Sequence, residues 1–213
     1  MLYPLKPLVV FVAEWHIGLS PWIIQDGNYG DFHVGQVADF ALEVFGPSPL
    51  LPSELTEGRA TLIEGCRYSV NAEVAYSGSD LAVLDFGVRA YSQHLRPTSR
   101  WVGGELSLGI DPYFYFEQLS KDSRVPPLIY AWKVTRILRD SAPYIEGVGP
   151  GGRKAWVWDE PKRVSEDVDH TDAWGEDRKR RATPGSPPTS GFAYTLICTN
   201  LDEPPARSMR PRA

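Results

Sequence analysis

Three strand-like runs follow one another between residues 59 and 88: RATLIE (59–64), RYSVNAEVAY (67–76) and LAVLDFGV (81–88). The first gap is Glu64-Gly65-Cys66 and the second is Ser77-Gly78-Ser79-Asp80. Short connections built from Gly, Ser and Asp close antiparallel hairpins, so this part of the chain is a meander. A meander commits the chain to a β core early, because each of its strands must bury one face against something.

The flanking sequence continues in the same manner. LVVFVAEW (8–15) reads as a first strand ending at the glycine and proline of HIGLSP. In VGQVADFALEVFGPSP, Ala38, Phe40, Leu42 and Val44 share one side of a strand that Gly46 and Pro47 end. WVGGELSLGI (101–110) reads as a strand whose glycine pair marks a bulge or a close backbone approach. In PLIYAWKVTRILRD (127–140) the almost wholly apolar set Tyr130, Trp132, Val134, Arg136 and Leu138 faces the core, while Lys133, Thr135 and the stem of Arg136 meet the surface. KAWVWD (154–159) and GFAYTLICTNL (191–201) complete the strands, and GVGPGGRK (147–154) is the loop of a hairpin. One segment has helical character: Asp111 is a good N-cap, Pro112 suits the first turn, and Tyr115, Phe116 and Leu119 form one face.

The expected fold is therefore mainly β, an antiparallel barrel or sandwich with one short helix. At 213 residues, with 42% hydrophobic and 12% aromatic side chains, the chain can fill one β-rich domain over residues 1–201. Two packed subassemblies, 1–91 and 100–201, are compatible with the order of strands. Residues 160–190 hold many acids, then four consecutive bases from Arg178 to Arg181, then Gly, Ser and Pro, and read as a mobile excursion. Residues 202–213 read as a disordered tail.

Charge and cysteine content narrow the classes of function. A formal charge of −5 disfavours general attraction to nucleic acid or to an anionic membrane surface. No apolar run approaches the ~20 residues that a membrane-spanning helix needs. Cys66 and Cys198 are far apart in a chain with ample core, and are expected as free thiols in the cytoplasm.

The stretch EWHIGLSPWIIQDGNYGDFHVGQ (14–36) is longer than a turn requires, and it concentrates polar anchors and aromatic groups. Glu14 and His16, and likewise Asp31 and His33, are two residues apart, which on a strand places each pair on one face. Convergence of the two pairs would present four N/O ligands to a Zn, Fe or Mn ion. Trp22 and Tyr29 offer rigid contact area to a ligand. Glu14, His16, Trp22, Tyr29, Asp31 and His33 are accordingly the candidate binding residues.

Other chemistry finds little support in the sequence. The DGNYGD stretch lacks the glycine at position six and the glutamate at position twelve of a calcium loop, having Asp31 and Val37 there. No G-x-S-x-G elbow or phosphate-binding glycine loop is present. Asp167, Asp169, His170 and Asp172 read as a solvated acidic run, balanced by the basic run that follows. RAYSQHLRPTSRW (89–101) mixes basic and aromatic residues in a way that suits stacked single-stranded bases. The leading expectation is a non-enzymatic module that binds a protein or small ligand, without a resident cofactor or metal. A metal-assisted enzyme using Glu14, His16, Asp31 and His33 and a single-strand nucleic-acid barrel are the alternatives.

Overall fold

The computed structural model describes residues 14–46, 49–78, 81–174 and 191–202. Strands make up 55% of it, and five of them close a barrel. The first-half strands are β1 (Glu14–Leu19), β2 (Val37–Phe40), β3 (Leu42–Phe45), β4 (Leu51–Pro52), β5 (Arg59–Glu64), β6 (Arg67–Ser77), β7 (Ala82–Asp85) and β8 (Arg89–Ser92). The others are β9 (Trp101–Ile110), β10 (Tyr130–Ala142), β11 (Tyr144–Val148), β12 (Lys154–Trp158), β13 (Val164–Val168) and β14 (Gly191–Asn200).

The meander forms as its spacing requires: β5, β6 and β7 pair antiparallel in sequence order. The run 81–88 is shorter than expected as a strand. It turns after Asp85 and returns as β8, with Gly87 at φ +110° in the turn. β9 then pairs antiparallel with β6 on one edge and with β3 on the other. A single parallel pairing of β3 with β8, Glu43 opposite Tyr91, closes the ring β9-β3-β8-β7-β6.

The same sheet continues out of the barrel as a second layer. β9 pairs with β6 from Trp101 to Ser107, after which β1 joins that edge through one parallel pairing, Gly18 opposite Gly109. β14 lies antiparallel to β1, and β10 antiparallel to β14. The far edge of β10 is shared, by β2 at Tyr130–Lys133 and by β13 at Ile137–Ser141. β11 and β12 form a separate two-stranded ribbon, the hairpin expected around GVGPGGRK. Pairing thus runs across the division at residues 91–100, since β1 and β2 join β14 and β10. One buried cluster contains residues from both halves, among them Trp15, Leu84, Val102, Trp132 and Leu196.

A second apolar cluster lies on the other side of β7 and β8, where Val83 and Tyr91 meet Tyr115, Val125 and Leu128. The cover is provided by the expected helix, a single turn α2 (Phe114–Glu117), and by the chain after it. Its N-cap is Tyr113, not Asp111, and Tyr113 sits in the left-handed region at φ 78°. Asp111 nonetheless does the work of a cap from two positions earlier, accepting a hydrogen bond from the Tyr115 amide at 3.2 Å.

Several expectations are corrected. The first strand is Glu14–Leu19, so it runs through HIGL, where a turn was expected. Trp15, Ile17 and Leu19 supply its buried face, and residues 8–13 lie outside the described residues. A short helix, α1 (Pro21–Gln25), occupies the stretch read as loop and buries Ile23 and Ile24. A bulge between Val134 and Arg136 reverses the alternation of β10. Ile137, placed on the outer set, is therefore fully buried, while Arg136 lies exposed, as its stem was expected to.

Within residues 160–174 the chain forms β13. β13 completes the edge of β10, where Arg136 and Arg139 pair with Asp167 and Glu166. Residues 175–190 and 203–213 lie outside the described residues. Asp202, placed in the tail, accepts a hydrogen bond from the Ala131 amide at 2.6 Å.

Candidate functional site

The cleft follows from the way β9 exchanges one neighbour for another. Where β6 begins and β1 takes its place, a cleft of about 410 Å3 opens between barrel and second layer. Glycines make the junction possible. A Cβ on Gly109 would lie 2.7 Å from Cε1 of Phe45, and one on Gly18 would lie 3.2 Å from Sγ of Cys66. With no side chain at either position, the Phe45 ring lies over the paired glycines, yet it is 50% exposed.

Helix α1 brings a second aromatic wall. Pro21 at its start and the buried Ile23 and Ile24 fix the turn against the core, leaving Trp22 48% exposed beside the cleft. Ile110, Pro112 and Tyr194 add further lining.

Charged groups stand around this apolar floor. Asp140 and Arg163 contribute an ion pair at 2.9 Å, and Arg163 also approaches Glu160 at 3.6 Å and the Trp158 ring at 5.8 Å. The Asp140 carboxyl is 9% exposed, while the Arg163 side chain that meets it stays partly open to water. Glu43 and His94 line the cleft from the barrel side. Burial, and then the nearby carboxylate of Asp111, push Glu43 above the usual carboxylate range, against the lowering pull of the Gln93 side chain and His94. Burial pushes the Cys66 thiol up as well, so the cleft's sulfur is held as a neutral thiol. Phe45 and His94 also line a smaller hollow of about 100 Å3, together with Leu50 and Leu95.

Of the six residues expected to bind, Trp22 lines this cleft and the others are elsewhere. Glu14 is exposed on β1, opposite Thr199. His16 is tied to the core through its backbone, its amide donating to the Tyr68 hydroxyl at 2.6 Å. Tyr29 packs its ring on Phe32 and Tyr113 at 6.0 and 5.9 Å, and its buried hydroxyl finds no hydrogen-bond partner among the described residues. Asp31 accepts hydrogen bonds from the Thr171 hydroxyl at 3.0 Å and the Ala173 amide at 3.1 Å, anchoring the segment after β13. His33 bridges to His170, and the two rings stack at 5.6 Å.

The acid-x-His pairs therefore do not converge. His33 meets His170 instead of His16, and no group of three or more His, Cys, Asp or Glu suited to a metal ion forms among the described residues. The arginines of the basic-aromatic segment are also engaged: Arg89 with Asp85, Arg100 with Glu73, and Arg96 with the carbonyls of Gln93 and Leu95.

Sequence reading missed Glu43, Phe45, Cys66, His94, Asp140 and Arg163. Gly18 and Gly109 were the available signal, being single glycines inside strand patterns. Comparison with protein families, with curated proteins and with solved structures finds no match.

Proposed function

We propose that this chain is a non-enzymatic β-barrel module that binds a small ligand in the cleft where β9 exchanges β6 for β1. The observation that carries the reading is the cleft itself, with an apolar aromatic floor, a few fixed polar groups and a volume of about 410 Å3. Small-molecule sites are typically concave, mostly apolar and roughly 300–1,000 Å3, with a handful of convergent polar groups. Binding, rather than thiol chemistry, is favoured by the neutral state of Cys66. No helix among the described residues is long and apolar enough to cross a membrane. The free thiols Cys66 and Cys198 support a soluble protein in the reducing cytoplasm.

Amide chemical shifts recorded during a screen of small aromatic fragments test this reading. Binders should move the amides of Gly18, Phe45 and Gly109 together. A Gly109→Ala variant should lose those binders, because its Cβ displaces the Phe45 ring. Gly30→Ala is the control, since nothing lies within 4 Å of its added Cβ. Hits that map elsewhere, or that bind Gly109→Ala as well as the parent, would contradict the proposal.

A further inference from the structure

Glu43 has little room to move, because the backbone around it is held on both sides. In the ladder it lies between Gly109 of β9 and Tyr91 of β8. The side chain is half-buried at the wall of the cleft. Nearby stands Asp111, a fully buried carboxyl that accepts a hydrogen bond from the Tyr91 hydroxyl at 2.5 Å. A buried acid thus stands close behind the one acid at this wall of the cleft.

The positive groups that could answer them are either weak or committed. Among the described residues no Arg or Lys nitrogen is paired with Glu43 within 4.0 Å, and its own partners are the Gln93 side chain and His94. Arg163 is the guanidinium that lines the cleft, and Asp140, Glu160 and the face of Trp158 already hold it. An incoming anion would meet Glu43 with Asp111 behind it, and would have to take Arg163 from a largely buried partner. A cation meets the reverse situation. It offsets the Glu43 charge, and the exposed faces of Trp22 and Phe45 attract it through their ring quadrupoles.

We propose that the ligand is an organic cation, with an ammonium group set against Glu43 and an apolar body resting between Trp22 and Phe45. The inference rests on the cleft being the binding site, and adds the chemical class of what it takes. Arginine is a poor alternative occupant for this position, since a compact ammonium suits a single carboxylate while a guanidinium fork seeks a bidentate partner.

Three probes with the same aromatic body separate the possibilities: phenethylamine, 2-phenylethanol and 3-phenylpropanoate. Each is titrated into the full chain while the amides of Gly18, Phe45 and Gly109 are followed. Phenethylamine should bind about tenfold more tightly than the alcohol, and the propanoate more weakly than either. In Glu43→Gln the amine should fall to the level of the alcohol while the alcohol is unchanged, which also shows that the variant is folded. Trp22→Ala should weaken the amine and the alcohol alike. Equal binding of amine and alcohol, or tighter binding of the propanoate, would overturn the cation assignment and leave the cleft standing as a site. Failure of all three to move the cleft amides would count against the site itself.

Discussion

Asp111 is a carboxyl held inside the protein. Its carboxyl is fully buried, and burial pushes its pKa up to about 6 from an ordinary value of 3.8. Hydrogen bonds from the Tyr91 hydroxyl and the amides of Tyr113, Phe114 and Tyr115 pull in the other direction without overcoming the burial. The folded chain therefore holds this proton to a higher pH than the unfolded chain does. The corresponding stability is complete below about pH 4 and is lost as the pH rises to about 6. Asp111→Asn should remove that loss. Between pH 4 and 6.5 the parent should fall by about 2 kcal/mol relative to the variant in urea unfolding, and parallel pH profiles would contradict this. Tyr29 makes the complementary case. Its ring packs while its hydroxyl has no partner among the described residues, so Tyr29→Phe should stay within about 1 kcal/mol of the parent. Tyr29→Ala should cost about 3 kcal/mol in thermal or urea unfolding. The sequence shows a tyrosine in a glycine-rich stretch and suggests a ligand contact; it does not show that Phe32 and Tyr113 claim the ring.

Elements were legible where their partners are near in sequence. β5, β6 and β7 are joined by turns whose residues state the pairing, and β11 with β12 follows the same logic. What failed was pairing over distance. The acids of 166–167 read as solvated because their answering bases, Arg136 and Arg139, are about thirty residues away. The bulge of β10 was hidden because an inserted residue leaves no compositional mark, yet it reverses the faces of Arg136 and Ile137. Beyond β13 the chain is held by a polar lock. The Thr171 hydroxyl accepts from the Phe32 amide at 2.9 Å while donating to Asp31, and Tyr194 holds Asp172 at 2.9 Å. Hydrogen exchange should show protected amides at Thr171 and Ala173. Asp31→Ala should cost about 1–3 kcal/mol and release that protection. Rapid exchange there in the parent would mean that the lock does not hold in solution.

At the scale of the molecule, the barrel and its second layer are one sheet that forks at β9. The mainly β fold was readable from alternation and spacing, whereas closure by β3 and β8 and the fork itself depend on parallel pairings of one residue each. Such pairings carry no local signature, and the cleft they create escaped the reading for that reason. Gly18 and Gly109 mark it only once they are known to be neighbours. The most direct measurement is a crystal of the full chain soaked in phenethylamine, with electron density inspected at the fork. The account predicts an aromatic body between Trp22 and Phe45 and a nitrogen within hydrogen-bond distance of the Glu43 carboxylate. An empty cleft in crystals whose soaked amine occupies a different site, or an amine turned away from Glu43 toward Asp140, would contradict it.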